Sequence, residues 1–163
     1  MTPRPLLAGR SLALVGILLV ALNLRPPVAA LSPILDRIDR DVPLDAVMLG
    51  LIAALPPLTF AAAGPLAPLV ARALALERAL LAALAAMVLG HLARALAPES
   101  AALAAGTVLV LVGAGIGNVL LPPVVRRFFP DRVGLVTALY ATLLSFSAGI
   151  PPLIAVPVAD AAG

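Results

Sequence analysis

Five stretches of about 20 or more mainly apolar residues, separated by short charged segments, constrain this chain more than any other feature. Each is long enough to cross the roughly 30 Å of hydrocarbon in a bilayer. A soluble domain of this size could not keep so much apolar surface from water. Hydrophobic residues make up 63% of the 163 and charged residues 12%, and the mean hydropathy is +1.15. A backbone in hydrocarbon must satisfy its own N–H and C=O groups, which helices do internally. The sequence therefore predicts an all-α membrane protein of about five transmembrane helices.

The expected spans run over about 11–35, 46–70, 79–96, 101–125 and 133–158, as a single transmembrane unit over 1–163 with no soluble domain. The polar segment DRIDRDVPLD separates the first two, ARALALER the next two, and RRFFPDR the last two. The basic start and apolar core of MTPRPLLAGRSLALVGILLV imitate a signal peptide. The chain continues through PPVAALSPIL into further apolar runs, so this first segment reads as a retained helix.

Arginine placement orients the bundle, because short loops rich in basic residues stay on the cytoplasmic side. Arg4, Arg10, Arg72, Arg78, Arg126, Arg127 and Arg132 fall on one side, and Arg37, Arg40 and Arg94 on the other. This predicts a multi-pass protein of the cell (inner or plasma) membrane with a cytoplasmic N-terminus. The arginines form short clusters between spans, not a face for nucleic acid. Cysteine is absent, which excludes disulfides and thiolate metal sites. No nucleotide-binding loop, nucleophile elbow or metal-ligand cluster occurs, so the reading is of a non-enzyme with no cofactor and no metal.

Arg25 is the most informative single residue. The helix between Arg10 and Arg25 rises only about 21 Å, so the first span must extend past Arg25. A cation near the bilayer midplane costs at least about 2.5–3.5 kcal/mol on insertion scales. Two readings stand side by side. In one, Arg25 presents its guanidinium to an anionic solute in a wet cavity, with Asn23 adding hydrogen bonds. In the other, the apolar stretch starts near Leu6, and Arg25 snorkels to the outer headgroups without chemistry.

Proline pairs at 26 and 27, 56 and 57, 122 and 123, and 151 and 152 each remove backbone donors and are expected to kink or break a helix. Transporters place broken helices at substrate sites, whereas bends that serve packing alone are the blander account. Gly113 and Gly117, four apart in GAGIGN, are expected at a close helix contact. GAGIGN follows no soluble strand, so it is not a dinucleotide fingerprint. Asn118 is a candidate to hydrogen-bond a neighbouring helix or a solute. Tyr140, about a third of the way into the last span, needs a hydroxyl partner of either kind. His91 reads as an outer-end residue. No carboxylate lies deep in a span, which leaves proton coupling unassigned.

Two segments, LNLRPPVAALSPIL and GNVLLPPVVRRFFPDRVGLVTALY, resemble the major facilitator superfamily, and more narrowly its cyanate and 2-nitroimidazole transporter group. The matching positions are Asn23, Arg25, Pro26, Gly117, Asn118, Pro122, Phe129, Pro130, Asp131, Arg132, Gly134 and Tyr140. The resemblance implies a secondary carrier for a small anion or a nitrogen-containing organic solute, with Arg25, Asn23, Asn118 and Tyr140 as substrate-binding candidates. It also implies a structural or gating cytoplasmic loop around Arg126, Arg127, Asp131 and Arg132. Members of the superfamily have twelve helices, so the chain is expected to be truncated. Its expected partners are then the lipid bilayer, a small-molecule solute, and the missing C-terminal helices or other membrane subunits. The segment PLVARALALER departs from the superfamily's glycine- and aspartate-containing gating motif. The competing reading is a small polytopic interaction protein or a non-functional carrier remnant.

Overall fold

The computed structural model describes residues 10–30, 33, 38–39 and 43–162. The expected end of the first span at 31–35 lies almost wholly outside the described residues, as do Arg4, Arg37 and Arg40. The described residues are mainly helical: α1 (Ser11–Leu24), the single turn α2 (Pro26–Ala29), α3 (Ala46–Leu74), α4 (Leu76–Ala95), α5 (Ser100–Phe128) and α6 (Val133–Ala162). Among the described residues, five helices are long and apolar enough to cross a membrane, α1 and α2 counting together as Ser11–Ala29.

Local chemistry sets the helix ends. Asp45 caps α3 by accepting the Met48 amide at 2.7 Å, and Arg72 lies in its last turn, at the negative pole of the helix. The segment ARALALER, expected as a loop, is almost entirely helical. Only Ala75 interrupts it, at φ 66° and ψ 157°. Alanine, leucine, arginine and glutamate are all strong helix formers, so the two helices extend until they meet. Glu77 then sits in the first turn of α4, where a negative charge is favoured.

Three of the four proline pairs do not interrupt a helix: Pro56 and Pro57 lie inside α3, Pro122 and Pro123 inside α5, and Pro151 and Pro152 inside α6. Only Pro26 and Pro27 coincide with a break, between α1 and α2 at Arg25. Buried hydroxyls in α3, α5 and α6 return to their own backbone: Thr59 donates to the Leu55 carbonyl at 2.7 Å, Thr107 to Leu103 at 2.7 Å and Ser147 to Leu144 at 3.0 Å.

Helix α5 is the axis of the bundle, buried over most of its length. On one side it packs with α1 and α6 around Ile17, Leu24, Leu121, Val125, Phe129 and Val136. On the other it meets α3 and α4 through Ala63, Ala67, Ala79, Ala83, Ile116 and Leu120. The α4–α5 contact brings backbone against backbone. A Cβ at Gly90 would lie 2.7 Å from the Val110 nitrogen, one at Gly106 2.9 Å from the Arg94 nitrogen, and one at Gly113 2.5 Å from the Ala83 carbonyl.

Candidate functional site

At the C-terminal end of α1, a groove of 470 Å³ opens between that helix and the C-terminal half of α6. Leu22, Asn23, Pro26 and Ala30 form one wall, and Ser147, Ile150, Pro151, Ile154, Ala155 and Val158 the other. This is the size range of small-molecule sites. Asn23 and Ser147 supply its polar side chains. Asn23 donates one amide hydrogen to the Leu19 carbonyl at 2.8 Å, which fixes the side chain against its own helix. Two of the proline pairs noted in the sequence, at 26–27 and 151–152, flank this one groove from opposite walls.

The four candidate solute contacts do not converge. Asn23 lines the groove, while Arg25, Asn118 and Tyr140 are not among its lining residues. Asn23 is the last residue but one of α1, whereas Arg25 lies beyond that helix's end. Arg25 is exposed at the break between α1 and α2, and its carbonyl accepts the amides of Val28 and Ala29 at 3.1 and 3.2 Å. Tyr140, 8% exposed, lies in the core cluster with Ile17, Leu24, Val136 and Leu144. Asn118 is half-buried on α5. Its neighbour Gly117 faces the Leu24 side chain of α1, Gly115 faces Ala63 of α3 and Gly113 faces Ala83 and Met87 of α4. GAGIGN therefore serves three helices, and Gly113 and Gly117 do not share one partner.

The opposite end of α1 carries a charged junction. Arg10 reaches the loop between α5 and α6, with Nη1 on Asp131 Oδ1 at 2.7 Å and Nη2 on Asp131 Oδ2 at 3.1 Å. Nη1 also donates to the Phe128 carbonyl at 2.8 Å, and the guanidinium lies 5.0 Å from the centre of the Phe129 ring. Arg132 approaches Asp131 at 3.8 Å, and Arg127 pairs with Glu77 of α4 at 2.9 Å. Arg126 is exposed. The hydrogen bonds from Arg10, followed by one from its own backbone amide, hold the Asp131 carboxyl down at about 2. The same pairing raises Arg10 further above its ordinary value.

Sequence reasoning assigned no role to the Arg10 junction with Phe128, to the Glu77 ion pair or to Ser147 on the α6 wall. Arg10 had a visible signal, being the last charge before the first span, but its partner stands 121 residues away. Among the described residues no cluster of histidine, aspartate and glutamate could hold a metal ion.

An apolar five-helix bundle with a small-molecule-sized groove at a broken helix defines a multi-pass α-helical membrane protein. Over most of its length the chain is similar to membrane transporters. It is 36% identical to the 2-nitroimidazole transporter of Escherichia coli (strain K12) over 151 residues, which are 93% of this chain and 38% of that protein. It is also 36% identical to the uncharacterized transporter YycB of Bacillus subtilis (strain 168) over 144 residues, 88% of this chain and 36% of that one. The chain thus spans little more than a third of the length of the curated relatives it matches. No family model matches the chain, and no solved structure does.

Proposed function

We propose that the chain forms part of a secondary transporter for a small nitrogen-containing organic solute of the nitroimidazole type, and that the groove between α1 and α6 contacts that solute through Asn23. The carrying observation is the likeness to a 2-nitroimidazole transporter over 93% of this chain. The position of Asn23 in a groove of suitable size, beside a broken helix, supports the placement. In this reading the chain is one transmembrane unit in the cell membrane, with the N-terminus and the Arg10–Asp131 junction in the cytoplasm. The excess of arginine on that side supports the orientation. Further helices from outside this chain, or from another subunit, close the solute path.

Equilibrium binding of labelled 2-nitroimidazole to the purified chain in lipid nanodiscs tests this. Saturable binding that Asn23→Leu abolishes is expected. Binding that never saturates, or that Asn23→Leu leaves intact, removes the assignment.

A further inference from the structure

The groove is apolar in its side chains, yet its backbone is short of hydrogen-bond donors. A proline nitrogen carries no hydrogen, so it cannot bond the carbonyl four residues before it. Pro26 and Pro27 withdraw the helical donors of Leu22 and Asn23, and Pro151 and Pro152 those of Ser147 and Ala148. Three of those four residues, Leu22, Asn23 and Ser147, line the groove. The next amides do not compensate on the α1 side: those of Val28 and Ala29 go to the Arg25 carbonyl, and that of Ala30 goes to Pro26 at 2.9 Å. The last carbonyls of α1 also form the negative pole of that helix.

The side chains push the balance the same way. The Ser147 hydroxyl spends its hydrogen on Leu144, which leaves oxygen lone pairs. Asn23 spends one amide hydrogen on Leu19, which leaves one N–H and its carbonyl oxygen. Among the described residues, no arginine, histidine, aspartate or glutamate lines the groove. An anion there would meet carbonyl dipoles and no cation, and a full positive charge would meet no carboxylate.

We propose that this groove selects an uncharged solute through a hydrogen-bond donor on the solute, an N–H such as that of an azole ring, which the carbonyls freed by the two proline pairs receive, and that it rejects anions. This rests on the groove being the solute contact and decides between the two solute classes that the sequence left open. Arg25 is not among the groove's lining residues and stands at the C-cap of α1.

The absence of cysteine gives a clean reporter. In the full chain in nanodiscs, Ile154→Cys places a thiol on the groove wall and Leu92→Cys places one on α4, outside the groove. Maleimide labelling is timed in sodium-free buffer with 2-nitroimidazole, with its N-methyl derivative, with cyanate, or with added sodium ion. The pH is kept low enough to retain the azole hydrogen. Slower labelling of Cys at 154, and not at 92, by 2-nitroimidazole alone is expected. Raising the pH through the ionisation of the azole should remove the protection. Pro151→Ala, which returns an N–H to Ser147, should weaken it about threefold to tenfold, the worth of one hydrogen bond. Equal protection by the N-methyl compound, by cyanate or by sodium overturns the donor assignment while leaving the groove as a binding site. Protection by none of the four overturns the groove as the solute contact as well.

Discussion

Arg10 and Asp131 meet in a two-pronged ion pair, 2.7 and 3.1 Å, that ties the start of α1 to the corner between α5 and α6. The pair is partly exposed, with 25% and 39% of the two side chains accessible. An isolated ion pair at that exposure contributes little. This guanidinium also holds the Phe128 carbonyl and faces the Phe129 ring, and Phe129 is fully buried in the core. The junction therefore fixes the end of α1 relative to the core. Arg10→Lys keeps the charge but loses the fork and the flat face. Thermal unfolding in detergent should show Arg10→Lys and Asp131→Asn each lowering the melting temperature, and the double variant falling by less than the sum. Additive losses would mean that the two side chains do not act together.

The same pair gives a pH dependence of known sign. Asp131 ionises at about 2 in the folded protein, below its ordinary 3.8. A depressed carboxyl contributes stability that is complete above the unfolded value and is lost as the pH falls through the folded one. Unfolding midpoints should thus fall between about pH 4 and pH 2 in the parent chain, and less steeply in Asp131→Asn. Identical acid slopes in the two proteins would dissociate the acid sensitivity from this carboxyl.

The glycines separate into two groups by what a methyl would meet. At Gly113 a Cβ would lie 2.5 Å from the Ala83 carbonyl, so α4 and α5 must move apart to admit it. Overpacking of this kind costs about 1–3 kcal/mol. At Gly16 nothing lies within 4 Å, and the residue sits within α1. Replacing a helical glycine by alanine there should be neutral or stabilising by up to about 1 kcal/mol. At Gly117 the methyl would meet only the flexible end of Leu24, so the loss should fall between these two. Chemical unfolding in mixed micelles ranks the three variants, and a Gly113→Ala protein as stable as Gly16→Ala would contradict the close α4–α5 contact.

Apolar length was enough to read five membrane-crossing helices, because the hydrophobic thickness of a bilayer leaves few alternatives for such runs. The break at Arg25 was also within reach, since Pro26 and Pro27 follow it directly. What the sequence withheld was pairing across distance. Asn23 stood out as a polar residue in a span, but Ser147 and Pro151, more than 120 residues later, become its neighbours only through the packing of α1 on α6. GAGIGN announced close packing, yet periodicity along one helix says nothing of which neighbour each glycine meets. The charges of ARALALER marked a connection between two spans, but no glycine, proline or asparagine in it pointed to Ala75 as the one residue where the helices part.

That turn supplies a final expectation. Ala75 is the single residue between α3 and α4, and the one non-glycine residue with positive φ among those described. Its φ of 66° and ψ of 157° lie in a region that glycine occupies almost alone, because a Cβ there crowds the backbone. Holding a side chain in such a conformation costs about 1–3 kcal/mol. The bundle sustains it because Ala67 of α3 and Ala79 of α4, on either side of the turn, are both fully buried in one apolar cluster. Ala75→Gly relieves the strain and also makes the unfolded chain more flexible, which opposes the gain by about 0.5–1 kcal/mol. The net should be a rise in stability of up to about 2 kcal/mol. Ala75→Val should do the reverse, since a β-branched side chain is still less tolerant of positive φ. If Ala75→Gly unfolds more readily than the parent in micelles while Ala75→Val is unaffected, the residue between the two helices does not adopt the left-handed turn.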